Sequence, residues 1–250
     1  MYIRIDNRKI HYKKFGRGNT ILFVHGWGGN LYSLHKLAIL ASKKYTAILI
    51  DLPGFGKSDN PPPNWGVDGY AENLAFFIKG LKLKNIAYFG HSFGGELGIY
   101  LTVHYALYID KLILCNSSFK RERKISKLAR LFKTFPRNKI VVLKTLEPYI
   151  KNFYYKIFHK DSDLTKYPHL EINFRKIITQ DLTSETKKIR KKTLILWGED
   201  DHTTPVLWGY ELEKNIPNSI IKVMPQTRHN LPIVHPELIW PEIKTFLCLA

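Results

Sequence analysis

Short apolar runs alternate with amphipathic stretches along most of this chain. The first two runs flank Asn7 and Arg8, and this arrangement predicts an opening β-hairpin. From Ile21 onward most runs are continuously apolar, which is typical of strands buried on both faces of a mainly parallel sheet. The eight predicted strands are 2–6, 9–15, 21–25, 47–51, 86–90, 111–115, 193–197 and 220–224.

The stretches between these runs carry apolar residues at helical spacing. Strands that alternate with helices predict right-handed crossovers and a sheet covered on both faces. We therefore expect an α/β fold with a mostly parallel eight-stranded sheet. The predicted helices lie near 31–43, 69–82, 93–106, 206–215 and 236–247.

The alternation stops between residues 119 and 192, where no clear strand pattern is present. Apolar side chains recur there at helical spacing, as at Leu146, Tyr149, Ile150 and Phe153. We interpret 119–192 as a helical lid inserted into a core formed by 1–118 and 193–250. The same spacing is expected of ordinary helix packing, and the two interpretations are compatible because a lid must also pack.

The charge is uneven along the chain. Lysine and arginine number 39 against 21 aspartate and glutamate residues, a net charge of +18. The 119–192 segment alone holds 21 basic and 7 acidic residues. Such an excess favours an acidic partner, which could be a protein, an anionic substrate, a membrane surface or nucleic acid. We favour the simpler explanation, which is that the lysines solvate an exposed helical face.

The cysteine content and the hydropathy indicate where the protein works and which cofactors it can bind. The chain has two cysteines, Cys115 and Cys248, too few for a disulfide framework. Its first residues do not resemble a signal peptide, and no apolar run approaches the roughly 20 residues that span a bilayer. The Gly-Lys-Ser at 56–58 lacks the first glycine of a phosphate-binding loop. We expect a cytoplasmic protein without a transmembrane segment, metal or cofactor.

Residues 90–94 read Gly-His-Ser-Phe-Gly and have the form G-x-S-x-G. They lie between a predicted strand and a predicted helix, so a tight turn there would expose Ser92 at its tip. The serine hydroxyl becomes a good nucleophile only when a base removes its proton and a carboxylate orients that base. The remaining loops must therefore supply both partners.

His229 is the best candidate for the base, because its loop follows the last predicted strand and emerges at the sheet edge that carries Ser92. His91 is adjacent to the serine, and neighbouring side chains at a sharp turn point apart. His235 precedes Pro236, at the expected start of the final helix. Three carboxylates follow strand 193–197, and spacing alone does not choose among them: Glu199, Asp200 and Asp201.

At this point the chain resembles the α/β-hydrolase superfamily over nearly its whole length. The resemblance places a catalytic acid at Asp201, and the order Ser92, Asp201, His229 is the order expected of this fold. It also implies that His25 begins an oxyanion loop, in which we expect it to order the loop rather than to react. The matching motifs are 25–29 (HGWGG), 51–58 (DLPGFGKS), 90–95 (GHSFGG), and 197–201 (WGEDD) with Pro205.

Each of these residues is expected to have a separate catalytic role. Ser92 attacks a carbonyl carbon, His229 transfers the proton and Asp201 holds the imidazole in one tautomer. The backbone N–H of Phe93 should bind the oxyanion, and the resemblance implies that Trp27 supplies the second N–H. Further candidates for the substrate pocket are Leu31, Tyr149, Phe153 and Leu231.

The resemblance leaves several reactions open. A serine nucleophile argues against haloalkane dehalogenases and epoxide hydrolases, which use aspartate. Esterases, lactonases, C–C bond hydrolases and haloperoxidase-like members remain, and we favour cleavage of short- to medium-chain acyl esters through an acyl-enzyme. The chain is similar to carboxylesterases that include methyl esterases acting on pimeloyl-acyl-carrier protein, whose acidic carrier would suit a basic lid.

A non-enzymatic alternative is a module that binds an acidic partner or nucleic acid. The intact serine, histidine and acid disfavour it. The aromatic residues interleaved with lysines at 151–156 are better explained as the inner face of a lid helix than as a platform for nucleic-acid bases.

Overall fold

The computed structural model describes residues 1–121 and 166–248. In this part of the chain the strands form one eight-stranded sheet. The strands are β1 (Tyr2–Ile5), β2 (Arg8–Phe15), β3 (Thr20–Val24), β4 (Thr46–Ile50), β5 (Ile86–His91), β6 (Ile109–Cys115), β7 (Lys192–Gly198) and β8 (Ser219–Met224). Their order across the sheet is β1-β2-β4-β3-β5-β6-β7-β8. The pairs β1–β2 and β2–β4 are antiparallel, and all later neighbours are parallel.

The central strands are buried on both faces, as their unbroken apolar sequences predict. Every residue of β4 and β5 is buried. Between them lies β3, where Phe23 is in register with Leu49 on one side and Phe89 on the other. Such strands need helices on both faces to exclude water. The predicted α/β fold with a mostly parallel sheet is confirmed.

Helices cover the two faces of this sheet. A short 3-10 turn at Leu31–Leu34 precedes the first helix. The α-helices of the described residues are α1 (His35–Ser42), α2 (Val67–Gly80), α3 (Phe93–His104), α4 (Glu171–Ile177), α5 (Thr183–Thr186), α6 (Val206–Asn215), α7 (Leu231–Val234) and α8 (Pro236–Cys248). Apolar residues of α2, α3 and α6 pack in one core cluster. Those of α1 and α8 pack in a second, so each face has its own core.

Only the two ends of the predicted 119–192 lid belong to the described residues. Its C-terminal part holds α4, α5 and a 3-10 turn at Pro168–Leu170. The ends meet, because the N–H of Leu182 donates to the carbonyl of Phe119 over 2.7 Å. The remainder of the proposed lid lies outside the described residues, and the division into core and lid stays a prediction.

A buried carboxylate anchors both ends of this segment to α3. Glu96 is 1% exposed, accepts a 2.8 Å hydrogen bond from Ser118 Oγ and forms an ion pair with Arg121. Burial raises the pKa of Glu96, while the adjacent guanidinium opposes that shift. The backbone N–H of Arg121 in turn donates to Asp181 Oδ2 over 2.9 Å. Both ends of the segment are therefore tied to the helix that follows Ser92.

Within residues 1–121 and 166–248, no helix is both long and apolar enough to cross a lipid bilayer. The same residues contain no cluster of three or more histidine, cysteine, aspartate or glutamate side chains placed to hold a metal ion.

Close backbone packing fixes the start of α3 against the sheet. A Cβ atom added at Gly94 would lie 2.3 Å from the carbonyl oxygen of Val24 in β3. One added at Gly90 would lie 2.3 Å from the carbonyl oxygen of Gly94 itself. Real Cβ atoms essentially never approach another heavy atom this closely, and backbone atoms cannot rotate away. Glycine at both positions is therefore required by the packing.

We expect Gly94→Ala to lower the free energy of unfolding by about 3 kcal/mol or more, because the new methyl group overpacks a rigid backbone contact. Gly80→Ala is the matched control, since its Cβ would meet only the flexible tip of Ile3 at 2.7 Å. Urea unfolding of both variants measures the difference. Equal stabilities would show that the α3–β3 contact is not the constraint described here.

Candidate active site

The backbone of Ser92 is held in an unusual conformation. Ser92 joins β5 to α3 with φ 52° and ψ −116°, a left-handed region that a residue other than glycine rarely occupies. Such a conformation costs roughly 1–3 kcal/mol and persists only where its surroundings enforce it. Hydrogen bonds hold it in place. The Ser92 N–H donates to the carbonyl of Cys115 over 3.0 Å, and the Ser92 carbonyl accepts from the N–H groups of Gly95 and Glu96.

Three predicted site residues meet at the carboxyl edge of the sheet. Ser92 follows β5, Asp201 follows β7 and His229 follows β8, and these strands run parallel. His229 Nε2 lies 3.0 Å from Ser92 Oγ, and His229 Nδ1 lies 2.8 Å from Asp201 Oδ2. The first of these hydrogen bonds joins residues 137 positions apart along the chain, and the second joins residues 28 positions apart.

The partners of His229 fix its tautomer. An ionised carboxylate can only accept a hydrogen bond, so the proton of the neutral ring is on Nδ1 and is donated to Asp201. His229 Nε2 is left unprotonated and accepts from the Ser92 hydroxyl. This arrangement can remove the serine proton when the hydroxyl attacks an electrophile.

The carboxylate of Asp201 is fully buried and surrounded by donors. Besides His229, it accepts from the backbone N–H of Thr203 at 2.8 Å, from Thr204 N–H at 2.9 Å and Oγ1 at 2.7 Å, and from Asn116 Nδ2 at 2.5 Å. Burial alone would raise its pKa. The hydrogen bond and the charge of His229, together with the Thr204 and Asn116 hydrogen bonds, outweigh burial and lower the pKa to about 2.

Asn116 and Thr204 belong to this site and were missed by sequence reasoning. Thr204 Oγ1 also lies 3.2 Å from His229 Nδ1, so it contacts both members of the pair. One signal was available: Thr203 and Thr204 follow Asp201, a spacing at which an aspartate accepts from the next backbone N–H groups. Asn116 directly follows β6, where the sequence supplies no carboxylate.

The loop at 25–29 lies against the serine. A Cβ atom on Gly26 would be 3.0 Å from Ser92 Cβ. His25 orders this loop, as expected: its Nε2 accepts from Leu52 N–H at 3.1 Å, so its Nδ1 donates to Gly26 at 2.7 Å. Burial lowers the pKa of His25. Both ring nitrogens of His25 are thus hydrogen-bonded to the backbone, and the ring does not serve as a base for Ser92.

The two predicted oxyanion donors flank Ser92. Trp27 follows Gly26, and Phe93 is the first residue of α3, where backbone N–H groups lack an acceptor within the helix. Their rings contact each other edge-on, with centroids 5.5 Å apart. The positions suit a pair of backbone donors, and the role itself stays a prediction.

Aromatic rings pack around Trp27. Its indole is 5.0 Å from the Phe55 ring and 5.1 Å from the Phe174 ring. Phe174 lies on α4, and the hydroxyl of Tyr167 donates to Gly28 over 2.8 Å. The described C-terminal end of the predicted lid therefore touches the loop next to the serine.

The predicted pocket residues fall into two groups. Leu31 and Leu231 are each 1% exposed and pack in the same core cluster. Tyr149 and Phe153 lie outside the described residues. Substrate contact by any of the four stays a prediction.

The chain is similar in sequence to known hydrolases. Residues 19–156 match the family described as alpha/beta hydrolase fold. An uncharacterized hydrolase of Bacillus subtilis, YugF, is 28% identical over 256 residues, covering 95% of this chain and 92% of that protein. A pimeloyl-[acyl-carrier protein] methyl ester esterase of Legionella pneumophila is 28% identical over 251 residues, covering 95% and 99%.

Solved structures show the same fold. The crystal structure of a serine hydrolase involved in carbazole degradation, the CarC enzyme, superposes with a TM-score of 0.78. It shares 21% sequence identity and covers 100% of this chain and 98% of its own. At this identity the likeness concerns the fold alone.

The lowered pKa of Asp201 predicts how stability depends on pH. A carboxylate with a depressed folded pKa stabilises the protein above its unfolded pKa, and that contribution is lost as pH falls toward the folded value. Folding lowers the pKa of Asp201 from an ordinary value of 3.8 to about 2. The protein should therefore lose about 1 kcal/mol of its free energy of unfolding by pH 3, and about 2 kcal/mol once the carboxyl is fully protonated. Asp201→Asn cannot titrate, so the stability gap between wild type and variant should narrow by these amounts below pH 5. A gap that stays constant from pH 7 to pH 3 in urea unfolding would contradict the depressed pKa.

Proposed function

The chain belongs to the alpha/beta hydrolase fold family, and we propose that it is a serine hydrolase that cleaves carboxylic esters. One observation carries this proposal: the Ser92 hydroxyl lies 3.0 Å from an imidazole nitrogen whose ring is held by a buried carboxylate. A hydroxyl, a base and an orienting acid in this sequence of contacts are the requirements for nucleophilic acyl transfer.

In the proposed acylation, Ser92 Oγ bonds to the ester carbonyl carbon while His229 Nε2 takes the hydroxyl proton. The backbone N–H groups of Trp27 and Phe93 hold the oxyanion that forms. Collapse of this intermediate breaks the ester bond, and the imidazolium gives its proton to the leaving alkoxide. Asp201 stabilises the imidazolium without itself becoming protonated.

Deacylation reverses the roles of the groups. A water molecule loses its proton to His229 and attacks the acyl carbon, and the proton then returns to the Ser92 oxygen as the acid leaves. The depressed pKa of Asp201 keeps its charge through both halves of the cycle, since the carboxyl ionises far below neutral pH. The same apparatus could open a lactone or cleave a C–C bond next to a ketone.

The surroundings of Ser92 favour an apolar acyl or alcohol group. Trp27, Phe55, Phe93 and Phe174 form a connected set of aromatic rings. Rings at these separations bury apolar surface well. Short- to medium-chain esters are the simplest substrates consistent with these apolar neighbours.

A second candidate is a methyl ester carried on an acyl carrier protein. Two observations favour it: the relative from Legionella pneumophila is named for that activity, and residues 119–192 hold 21 basic against 7 acidic residues. Acyl carrier proteins are acidic, so the positive charge of 119–192 would attract such a carrier.

The first candidate predicts turnover of p-nitrophenyl butyrate that depends on Ser92. Ser92→Ala removes the nucleophile and should lower kcat by about 10³-fold or more. Ser42→Ala, at the end of α1 away from the site, is the matched control and should keep wild-type kcat. Wild-type turnover no faster than that of Ser92→Ala would contradict the ester proposal. A panel of lactones and vinylogous 1,5-diketones with the same variants would then test the other two reactions.

The second candidate predicts a specific response to salt. Two substrates are compared: a methyl ester carried on acyl carrier protein, and the same acyl methyl ester carried on pantetheine. The ratio of their kcat/KM values, carrier over pantetheine, should fall at least about tenfold between 50 and 500 mM NaCl. The small thioester carries no acidic protein, so it controls for effects of salt on the chemistry. If this ratio is close to 1 at low salt, or does not change with salt, the carrier is not recognised by charge.

A further inference from the structure

A buried histidine next to the nucleophile has a partner that the proposed chemistry does not use. His91 ends β5, is 4% exposed and lies immediately before Ser92. Its Nε2 is 2.8 Å from the carbonyl oxygen of His229, and the two imidazole rings have centroids 5.1 Å apart. A carbonyl oxygen can only accept, so His91 Nε2 carries the proton and donates it.

From this contact we infer that His91 is a positioning residue, which holds the main chain of His229 at the distance from Ser92 that proton transfer requires. The inference rests on the proposed pairing of Ser92 and His229. His91 touches neither substrate nor reacting atoms in this role, and it acts entirely through the backbone of His229.

Three contacts together fix the base. Asp201 accepts from His229 Nδ1, Ser92 meets Nε2, and His91 holds the main-chain carbonyl. Because His91 and Ser92 are adjacent in the chain, the nucleophile and the anchor of its base share one peptide unit. The separation of the two reacting atoms is therefore set locally, by a small closed ring of contacts, and depends less on the long chain between β5 and β8.

The other ring nitrogen of His91, Nδ1, lies beside the loop at 25–29. A Cβ atom on Gly26 would lie 3.3 Å from His91 Nδ1 and 3.0 Å from Ser92 Cβ. One side chain thus stands between the loop that carries Trp27 and the loop that carries His229. A smaller or differently shaped side chain there would leave space between the two loops.

The donor remains available when the base becomes charged. The titratable groups that face His91 are His229, Asp201 and His25. Burial first, and then the charge of His229, lower the pKa of His91 to about 3, although the hydrogen bond to His229 and the charge of Asp201 oppose this. His91 therefore stays neutral at working pH, and it holds the imidazolium intermediate without adding a second positive charge.

The test compares His91→Leu, which removes the donor, with His91→Gln, whose side-chain N–H can reach the same carbonyl. For p-nitrophenyl butyrate we expect His91→Leu to lower kcat by about 10- to 100-fold with KM changed less than about threefold, because misplacing a catalytic group affects the chemical step. His91→Gln should recover kcat to within about fivefold of wild type. His104→Leu, the same substitution at an exposed position on α3, should leave both constants unchanged.

A second measurement separates this inference from the proposed substrate. A fluorophosphonate probe forms a bond between Ser92 Oγ and phosphorus with loss of fluoride, and the hydroxyl proton passes to His229. Its labelling rate reports activation of the serine whatever ester the enzyme prefers. We expect labelling of His91→Leu to slow in step with kcat, and labelling of His91→Gln to stay close to wild type.

The possible results distinguish failure of the proposed serine mechanism from failure of the positioning role of His91. If wild-type protein is not labelled, the proposed serine mechanism fails and the inference fails with it. If wild type is labelled and folded His91→Leu is labelled at the same rate, the inference alone is wrong. If His91→Leu does not fold, His91→Gln decides: near-wild-type kcat supports the donor role, and a folded His91→Gln with kcat reduced more than about thirtyfold overturns it.

Discussion

The left-handed backbone of Ser92 is the constraint on which the site depends. A serine does not adopt φ 52° on its own account, so the fold must hold it there. The means is backbone packing: α3 begins so close to β3 that only glycine fits at position 94, where an added Cβ would meet Val24 at 2.3 Å. The sheet thereby fixes both the direction of the serine hydroxyl and the free N–H groups at the start of α3.

The second constraint is the buried charge of Asp201. A carboxylate without solvent is stable only when donors surround it, and four residues besides Asp201 supply them: Asn116, Thr203, Thr204 and His229. The presence of an amide at position 116 follows from this requirement. A carboxylate there would face Asp201 at hydrogen-bonding distance and raise the pKa of one of the two. Asn116 donates instead, and it ties the end of β6 to the loop after β7.

Much of this arrangement could be predicted from sequence because it depends on the chain direction alone. Continuous apolar runs gave the strands, and parallel strands deliver their following loops to one edge, which brought Ser92 and His229 together. Spacing did not select Asp201, since Glu199 and Asp200 are adjacent and side-chain direction in that loop is set by its turn. There the N–H of Asp200 donates to Thr227 and Asp201 turns inward. The Asn116 contact joins residues 85 positions apart, and no local pattern encodes it.

The helix that presents Ser92 also couples the site to the segment that begins at residue 119. Glu96 lies one helical turn after Ser92, is buried, and pairs with Arg121, while the N–H of Glu96 donates to the serine carbonyl. A buried ion pair is costly to break, because either partner left alone would be an uncompensated charge. The base of this segment is thus fixed relative to the serine. Within the described residues, the segment also reaches the loop beside Ser92, through the contact of Phe174 with Trp27. We therefore propose that chemistry and specificity can change separately in this molecule, the first through the sheet edge and the second through the segment that follows residue 119.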